Sequence, residues 1–535
     1  MEIDMNNITI NYDKKELLTK DINMIDCDPG WALCTMTDLS SEEAMIKSAC
    51  EFMDDKCVGT EVTDISFAVF MQTSFVDCKS MGWVYRESVE KVKEWIARGD
   101  EEGEPFPLEK RIAFERYPNI YHAFEKYGID WAQIAVDECK KRSVRPWLYF
   151  RMNDLHAVDQ DDSIFHDPFF FKARENGWLI GNTEYGRPMG TSGRIENVYD
   201  YSHAEVREWL LTYIEEIMMR YDVYGYGLDF MRNIYCFDYL RAEPGYQEYM
   251  NDFMRRVRDI ANRAGEKHGH PIKLFVCVTH TVEDSFIYGF DVKTWAKESL
   301  VDIIVPRCEE VCNSGVDMKE WRDAVGDDIA LLIGYDDHIS RWADAGAEYI
   351  YQITPEQLKG FCAKYFNTGA NGLYFNNYFA PSQVNFGKDM GRKMASEGTR
   401  TFVVTHQDII PIGRKRYKPL PFSLGSKIDF DINMGVVREN EHLYVTVGYD
   451  STDVDSVTLK VNGKDAVTTA SVEIEYNKFA GHYYDDDYNL LKSAALIRYG
   501  FDKMAIDGDF TVTFDGGEGI NVVYLEATAT PEELK

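Results

Sequence analysis

Between about residue 20 and residue 398, short apolar runs of strand character alternate eight times with amphipathic helical stretches. Such alternation demands parallel strands joined by helical crossovers. The runs cover 21–28, 63–71, 145–152, 224–231, 272–280, 300–307, 328–336 and 371–377. The helices between them are legible. The stretch 203–221 places Val206, Leu210, Tyr213, Ile214 and Ile217 on one stripe, with Ser202 ahead of it as N-cap. The stretch 248–269 meets Gly265 and Gly269 near its end, and 354–370 opens with Thr354 as cap and Pro355 at the first helical position. Eight strand–helix units predict an α/β chain closed into a (β/α)8 TIM barrel. An open doubly wound sheet is disfavoured, because no strand is followed by a Gly-rich phosphate loop.

Past residue 400 the pattern changes to period-two alternation, as in EHLYVTVGYD, SVTLKVNGKDA and FTVTFDGG, with Asn462-Gly463 marking a tight hairpin. The expected organisation is a barrel over 1–398, a linker over 399–425 rich in Pro and basic residues, and an all-β sandwich over 426–535. Two long excursions, 72–125 and 153–200, follow the carboxyl ends of the second and third strands. On a barrel that face carries the site, so both read as pocket walls.

Composition narrows the function. A net charge of −33 leaves no basic surface for nucleic acid or an anionic membrane, while a neutral sugar is compatible with it. The 33 Tyr and 10 Trp suit core packing, with those at strand ends also suited to stacking on pyranose rings. The 11 Cys form no framework and sit mostly in apolar runs, which fits a reducing compartment. Cys308 and Cys312 lack the second pair a zinc site needs. Residues 1–15 show no secretory leader, and no run is long and apolar enough to span a bilayer, so a cytoplasmic location is expected.

Polar residues at the carboxyl ends of barrel strands are the candidates for chemistry. These are Asp28; Asn153, Asp154 and His156; Asp229 and Arg232; His280; Arg307, Glu309 and Glu310; Asp336, Asp337 and His338; Asn376 and Asn377. Asp229 leads, because bulky residues follow it and no helix starts there for it to cap. Arg232, three residues on, is placed to hold it ionised. Paired carboxylates suit glycoside cleavage: one stabilises or attacks the oxocarbenium-like centre and the other protonates the leaving oxygen. Asp229 is the expected nucleophile or stabiliser, with Glu309, Glu310 or Asp336 as the acid. Asn153, Asp154, His156, Arg232, His280 and Asn376 are expected to hold sugar hydroxyls. Trp178, Tyr335 and Tyr374 read as stacking surfaces.

The segments RPWLYFRMNDLH, VYDYSHAEVREWLLTYIEEIMMRYDVYGYGLDFMRN and GANGLYFNNYF resemble bacterial barrel proteins described as glycoside hydrolase family 10-like. The resemblance covers roughly 20–395. It implies a (β/α)8 fold, a carbohydrate substrate, and site roles for Asn153, Asp154, His156, Asp229 and Arg232. Where those relatives end strand seven in Gly-x-Glu, this chain has Gly334-Tyr335-Asp336, a shorter carboxylate. The xylanase Glu pair is absent, so the resemblance says nothing of xylan.

The expected function is therefore glycosidic bond hydrolysis at the barrel mouth, with no cofactor, a carbohydrate as partner, and oligomerisation left open. Two rivals come from other classes. One is a carbohydrate-binding barrel without catalysis. The other is a metal-dependent enzyme using Asp154, His156, Asp229 and His280 as ligands. Asp229→Asn is expected to abolish turnover and leave stability nearly intact.

Overall fold

The computed structural model describes residues 10–101, 108–185, 194–241, 245–308, 312, 314–336, 338–344, 347–376, 390–405, 419–473, 483–484, 490–491 and 493–534. Eight parallel strands close into one barrel: β1 (Ile22–Cys27), β2 (Asp64–Phe70), β3 (Arg145–Arg151), β4 (Gly225–Asp229), β5 (Lys273–Val278), β6 (Ile303–Pro306), β7 (Ala330–Tyr335) and β8 (Gly372–Phe375). All eight expected runs are strands, each within three residues of its expected ends. Closure is made by β1 and β8, where Ile22 pairs with Gly372 and Ile25 with Phe375.

The alternation within each strand decides what fills the barrel. Trp147, Phe275 and Tyr374 pack across the interior with ring centroids 5.5 and 5.6 Å apart. Burying each such ring is worth about 1.5–3 kcal/mol. The YGYG of β4 makes room for them: a Cβ on Gly225 would lie 2.3 Å from the Trp147 ring, and one on Gly227 2.0 Å from that of Phe275. At the amino end, Asp64 takes hydrogen bonds from Arg145 at 2.8 and 2.6 Å and from the Trp147 indole at 2.7 Å, which plugs the floor with a satisfied ion pair.

The helix ends follow local chemistry, with one correction. Thr354 and Gln357 form a reciprocal capping box at 3.3 and 2.9 Å, and Pro355 opens the helix Pro355–Asn367. Gly269 ends the helix Tyr246–His268 with φ +83°, while Gly265 lies inside it. Ser202 is not an N-cap. The helix Ala204–Arg220 is capped at His203 with no side-chain bond, because Asp200 accepts the Ser202 N–H at 2.8 Å and fixes a turn one residue earlier. The two excursions are tied together by Asp167, which accepts from Gly82 N at 2.7 Å in one and Phe169 N at 2.7 Å in the other.

The C-terminal region is a β-sandwich. One sheet pairs Asn521–Thr530 with His442–Tyr449 and carries Ala495–Phe501 and Thr468–Ser471; in the other, Ile506–Asp515 pairs with Ile428–Val437 on one side and Thr458–Val461 on the other. Val447, Phe510, Phe514, Val522 and Leu525 fill the space between them. Asn462-Gly463 makes the expected two-residue hairpin, with φ +48° and +76°. The stretch read as linker is not all connector. Arg400–Val403 is a strand pairing antiparallel with Asn521–Thr530, and Arg400 makes a buried double bond to Glu441 at 2.7 and 2.8 Å. Its polar and basic composition hid a strand whose charge is neutralised only in three dimensions. The helix Pro355–Asn367 lies against this region: Gly360 faces the Thr401 carbonyl, Ala363 faces Gly435, and Asn367 donates to Asn433 at 3.4 Å. No described helix is long and apolar enough to cross a membrane.

Candidate active site at the barrel mouth

Asp229 is the last residue of β4, in register with Arg151 on β3 and Cys277 on β5. Inward-facing positions near strand ends are where a barrel can present polar groups without emptying its apolar layers. The Asp229 carboxylate accepts from Arg307 Nη2 at 2.9 and 3.2 Å and from Met231 N at 2.8 Å, and both side chains are 1% exposed. The last bond shapes the turn leaving the strand, so Asp229 has a local structural job although it caps no helix. Burial works against the Arg307 charge, but Asp229 and the groups around it together outweigh burial and hold the guanidinium protonated well above its ordinary range.

Arg307 therefore takes the place beside Asp229 expected of Arg232. Arg232 instead donates toward His156 Nε2 at 3.1 Å, while His156 Nδ1 sits 2.6 Å from Asp154. Arginine only donates, so Nε2 accepts and Nδ1 carries the proton given to Asp154. Burial pushes the Asp154 pKa up, but His156, Arg151 and Arg232 overcome it and hold the group far below the usual carboxylate range. Asp154 is fully buried and the His156 side chain 42% exposed, so the imidazole is the solvent-facing end of this chain of contacts. Arg151, itself buried, bonds Asp28 at 2.8 Å and lies 3.8 Å from Asp154. Across the barrel, Asp336 accepts from Asn376 Nδ2 at 2.7 Å, and both are buried.

The other expected residues have contacts of their own. Asn153 spends its amide donor on the carbonyls of Tyr199, at 3.1 Å, and Tyr235, so it pins loops. Tyr335 faces the helices, stacked on Phe375 at 4.6 Å, because Gly334 and Asp336 take the inward positions on either side. Tyr374 does face inward, but its ring is fully buried under Arg307, 5.9 Å from the guanidinium, where no sugar can stack. Trp178 packs on Phe169 at 5.8 Å and under Lys172, as part of the excursion's own core. His280 is partly exposed, and its carbonyl accepts from the Trp321 indole at 3.0 Å. Glu309 and Glu310, with Asp337 and Asn377, lie outside the described residues. The four-ligand metal set does not assemble: among the described residues no three His, Cys, Asp or Glu side chains are grouped to hold an ion, Asp229 being taken by Arg307 and Asp154 by His156.

Sequence reasoning assigned no role to Asp26 or Arg151. Asp26 lies on β1 beside Ser66 of β2, fully buried, and no hydrogen bond of good geometry reaches either of its oxygens. Burial raises its pKa to about 7; Arg151 and the Tyr149 hydroxyl pull it down, Asp229 pushes it up, and Arg307 pulls it down. The available signal was its parity: Ile22, Met24 and Asp26 alternate with Asn23, Ile25 and Cys27, so the acid falls among positions that fill the barrel.

No family model matches this sequence, and no curated protein matches it. Among solved structures, α-L-fucosidase isoenzyme 2 from Paenibacillus thiaminolyticus is similar at 11% identity and TM-score 0.36, over 70% of this chain and 48% of that one. The chain thus spans about half the length of that fucosidase. The PgaB (BpsB) glycoside hydrolase domain from Bordetella bronchiseptica gives 10% identity and TM-score 0.40, over 66% of this chain and 93% of that one. A glycoside hydrolase family 18 N-acetylglucosaminidase from Paenibacillus barengoltzii gives 9% identity and TM-score 0.35, over 69% and 99%. Likeness at this level says nothing of reaction or substrate, so the chemistry rests on the chain's own residues.

Proposed function

We propose that this chain is a glycoside hydrolase whose leading carboxylate is Asp229. The observation that carries the reading is the Arg307–Asp229 pair at the carboxyl end of the barrel, with further acids, Asp28, Asp154 and Asp336, just past the ends of other strands. Asp229 acts as nucleophile or as stabiliser of the oxocarbenium-like centre, and the proton for the leaving oxygen comes from Asp336, Glu309 or Glu310. His156, its two ring nitrogens held by Asp154 and Arg232, presents a half-exposed ring and the neighbouring Arg232 guanidinium to a sugar. The resemblance to glycoside hydrolase family 10-like proteins supports the same assignment.

The test is a screen of aryl glycosides and oligosaccharides, repeated with Asp229→Asn. Turnover that vanishes in the variant supports the reading; turnover equal to wild type ends it. Proton NMR of the first-formed anomer then separates a nucleophilic Asp229, which retains configuration, from a stabilising one paired with a distant base, which inverts it. The near-complete burial of Asp229 favours one other reading, a barrel that binds carbohydrate without cleaving it. Saturable sugar binding with no turnover of any bound sugar would select that reading.

A further inference from the structure

The barrel interior below Asp229 holds a polar cluster for which the proposed reaction has no use. Asp26 sits there fully buried, and neither of its carboxyl oxygens has a hydrogen bond of good geometry. The hydroxyls of Tyr149 and Tyr374 and Nε of Arg307 are likewise buried without hydrogen-bond partners of good geometry among the described residues. The groups facing Asp26 are Tyr149 and Arg151 from β3, Asp229 from β4, Cys277 from β5, Arg307 from β6 and Tyr374 from β8. Ser66 of β2 and Gly334 of β7 complete the ring of strands and carry no charge. Burial drives the pKa values of Tyr149, Tyr374 and Cys277 well up, so these three are neutral. The cations within reach are therefore Arg151 and Arg307, and each is already bonded to an acid of the mouth, Asp28 or Asp229.

We infer that Asp26 is a positioning residue for the Asp229 site: protonated, it leaves Arg307 and Arg151 to the acids of the mouth, and ionised, it competes for both from below. The inference rests on the glycosidase reading for its kinetic consequence but not for its electrostatic one. A charge on Asp26 draws Arg307 off Asp229 and adds a like charge beneath it. Both effects pull the Asp229 carboxylate out of the position that Arg307 fixes, and so misplace the nucleophile. Turnover should then decline as pH rises through the titration of Asp26, which burial places near 7, by roughly ten-fold per pH unit if only the protonated form is competent.

Asp26→Asn keeps the shape and cannot ionise. The first readout is the ratio of kcat/KM at pH 8.5 to that at pH 6, measured for wild type and variant on one active glycoside. The expected result is a ratio at least ten-fold higher in the variant; equal ratios overturn the inference. The second readout needs no substrate. In infrared titration of the whole chain, wild type should show a buried protonated carboxyl stretch that disappears near pH 7 and is missing in Asp26→Asn. In Asp229→Asn that band should titrate at lower pH, since a like charge is gone and Arg307 is released to Asp26. A band unchanged by Asp26→Asn, or a midpoint unmoved by Asp229→Asn, overturns the inference even when no glycoside is cleaved. Loss of turnover in Asp229→Asn together with an unchanged pH ratio in Asp26→Asn sinks this inference and leaves the glycosidase reading standing.

Discussion

Arg307 reaches from the end of β6 to Asp229 at the end of β4, past β5, and places one guanidinium nitrogen 2.9 Å from Oδ2 and 3.2 Å from Oδ1 with both side chains shut away from solvent. A buried pair of this kind contributes little net stability when whole, but removing one partner strands the other's charge. The first prediction follows. Asp229→Asn loses turnover by several orders of magnitude, since charge stabilisation in a transition state is worth several kcal/mol. It also loses stability in urea unfolding, by about 3–5 kcal/mol less what Arg307 regains by pairing with Asp26, contrary to the sequence-based expectation that stability is nearly unaffected. The double variant Asp229→Asn, Arg307→Met should recover most of that stability and none of the activity. Equal stability of Asp229→Asn and wild type would show that Arg307 finds another anion.

His156 and Asn153, which the sequence groups as sugar ligands, should separate experimentally. His156→Ala removes a half-exposed ring backed by Asp154 and Arg232. It should raise KM on an active glycoside, and it should also lower the melting temperature, since the buried Asp154 carboxylate loses its nearest partner. Asn153→Ala strips the donor from the Tyr199 and Tyr235 carbonyls. Leaving buried acceptors unpaired costs about 1–3 kcal/mol, so this variant should melt earlier. An unchanged KM in His156→Ala, or a KM raised as far in Asn153→Ala, would contradict the assignment.

Asp26 predicts a pH dependence of stability. Its folded-state pKa is raised from 3.8 to about 7. The native chain therefore keeps a proton that the unfolded chain has lost, and the stability from this group, full below about pH 4, is lost as pH rises toward 7. Across that window each pH unit removes about 1.4 kcal/mol. Asp26→Asn should flatten that slope and be more stable than wild type above pH 7. Parallel stability–pH curves for the two proteins would show that Asp26 is not the group responsible.

The junction between barrel and sandwich depends on a missing side chain. A Cβ at Gly360 would stand 2.3 Å from the Thr401 carbonyl oxygen. Alanine in mid-helix normally gains about 1 kcal/mol over glycine, yet here the overlap must push the helix Pro355–Asn367 off the strand Arg400–Val403. Gly360→Ala should therefore destabilise, by about 1–3 kcal/mol. A rise in melting temperature would mean that the two elements can part freely.

Lys364, on the same helix, donates to the Ser314 carbonyl and lies 5.2 Å from the Phe402 ring. Burial lowers its pKa from 10.5 to about 8, against the pull of Asp317 and Asp509. Between these two values the unfolded chain holds a proton that the folded chain lacks, so stability from this group increases as pH rises and is lost as pH falls through 8. Lys364→Met should remove that rise, read by thermal unfolding between pH 7 and 10; an unchanged slope in the variant refutes the assignment.

Strand–helix alternation over 20–398 and period-two alternation beyond 400 are local properties, set by which residues must reach apolar neighbours. The sequence by itself therefore determined the eight strands, the barrel, the sandwich, the Thr354 cap and the Asn462-Gly463 turn. It also determined that Asp229 lies at a strand end, because position along a strand is a matter of counting. What each polar side chain bonds was decided by tertiary structure. Arg232 is three residues from Asp229 and turns to His156, whereas Arg307 is 78 residues away and closes on it. That choice depends on strand order, register and the inward or outward parity of each position. Parity removed Tyr335 from the mouth and brought Asp26 beneath it. Burial then shifted the charge of Asp26, and burial is a property of the closed barrel, since only when eight strands meet does the interior lose its water.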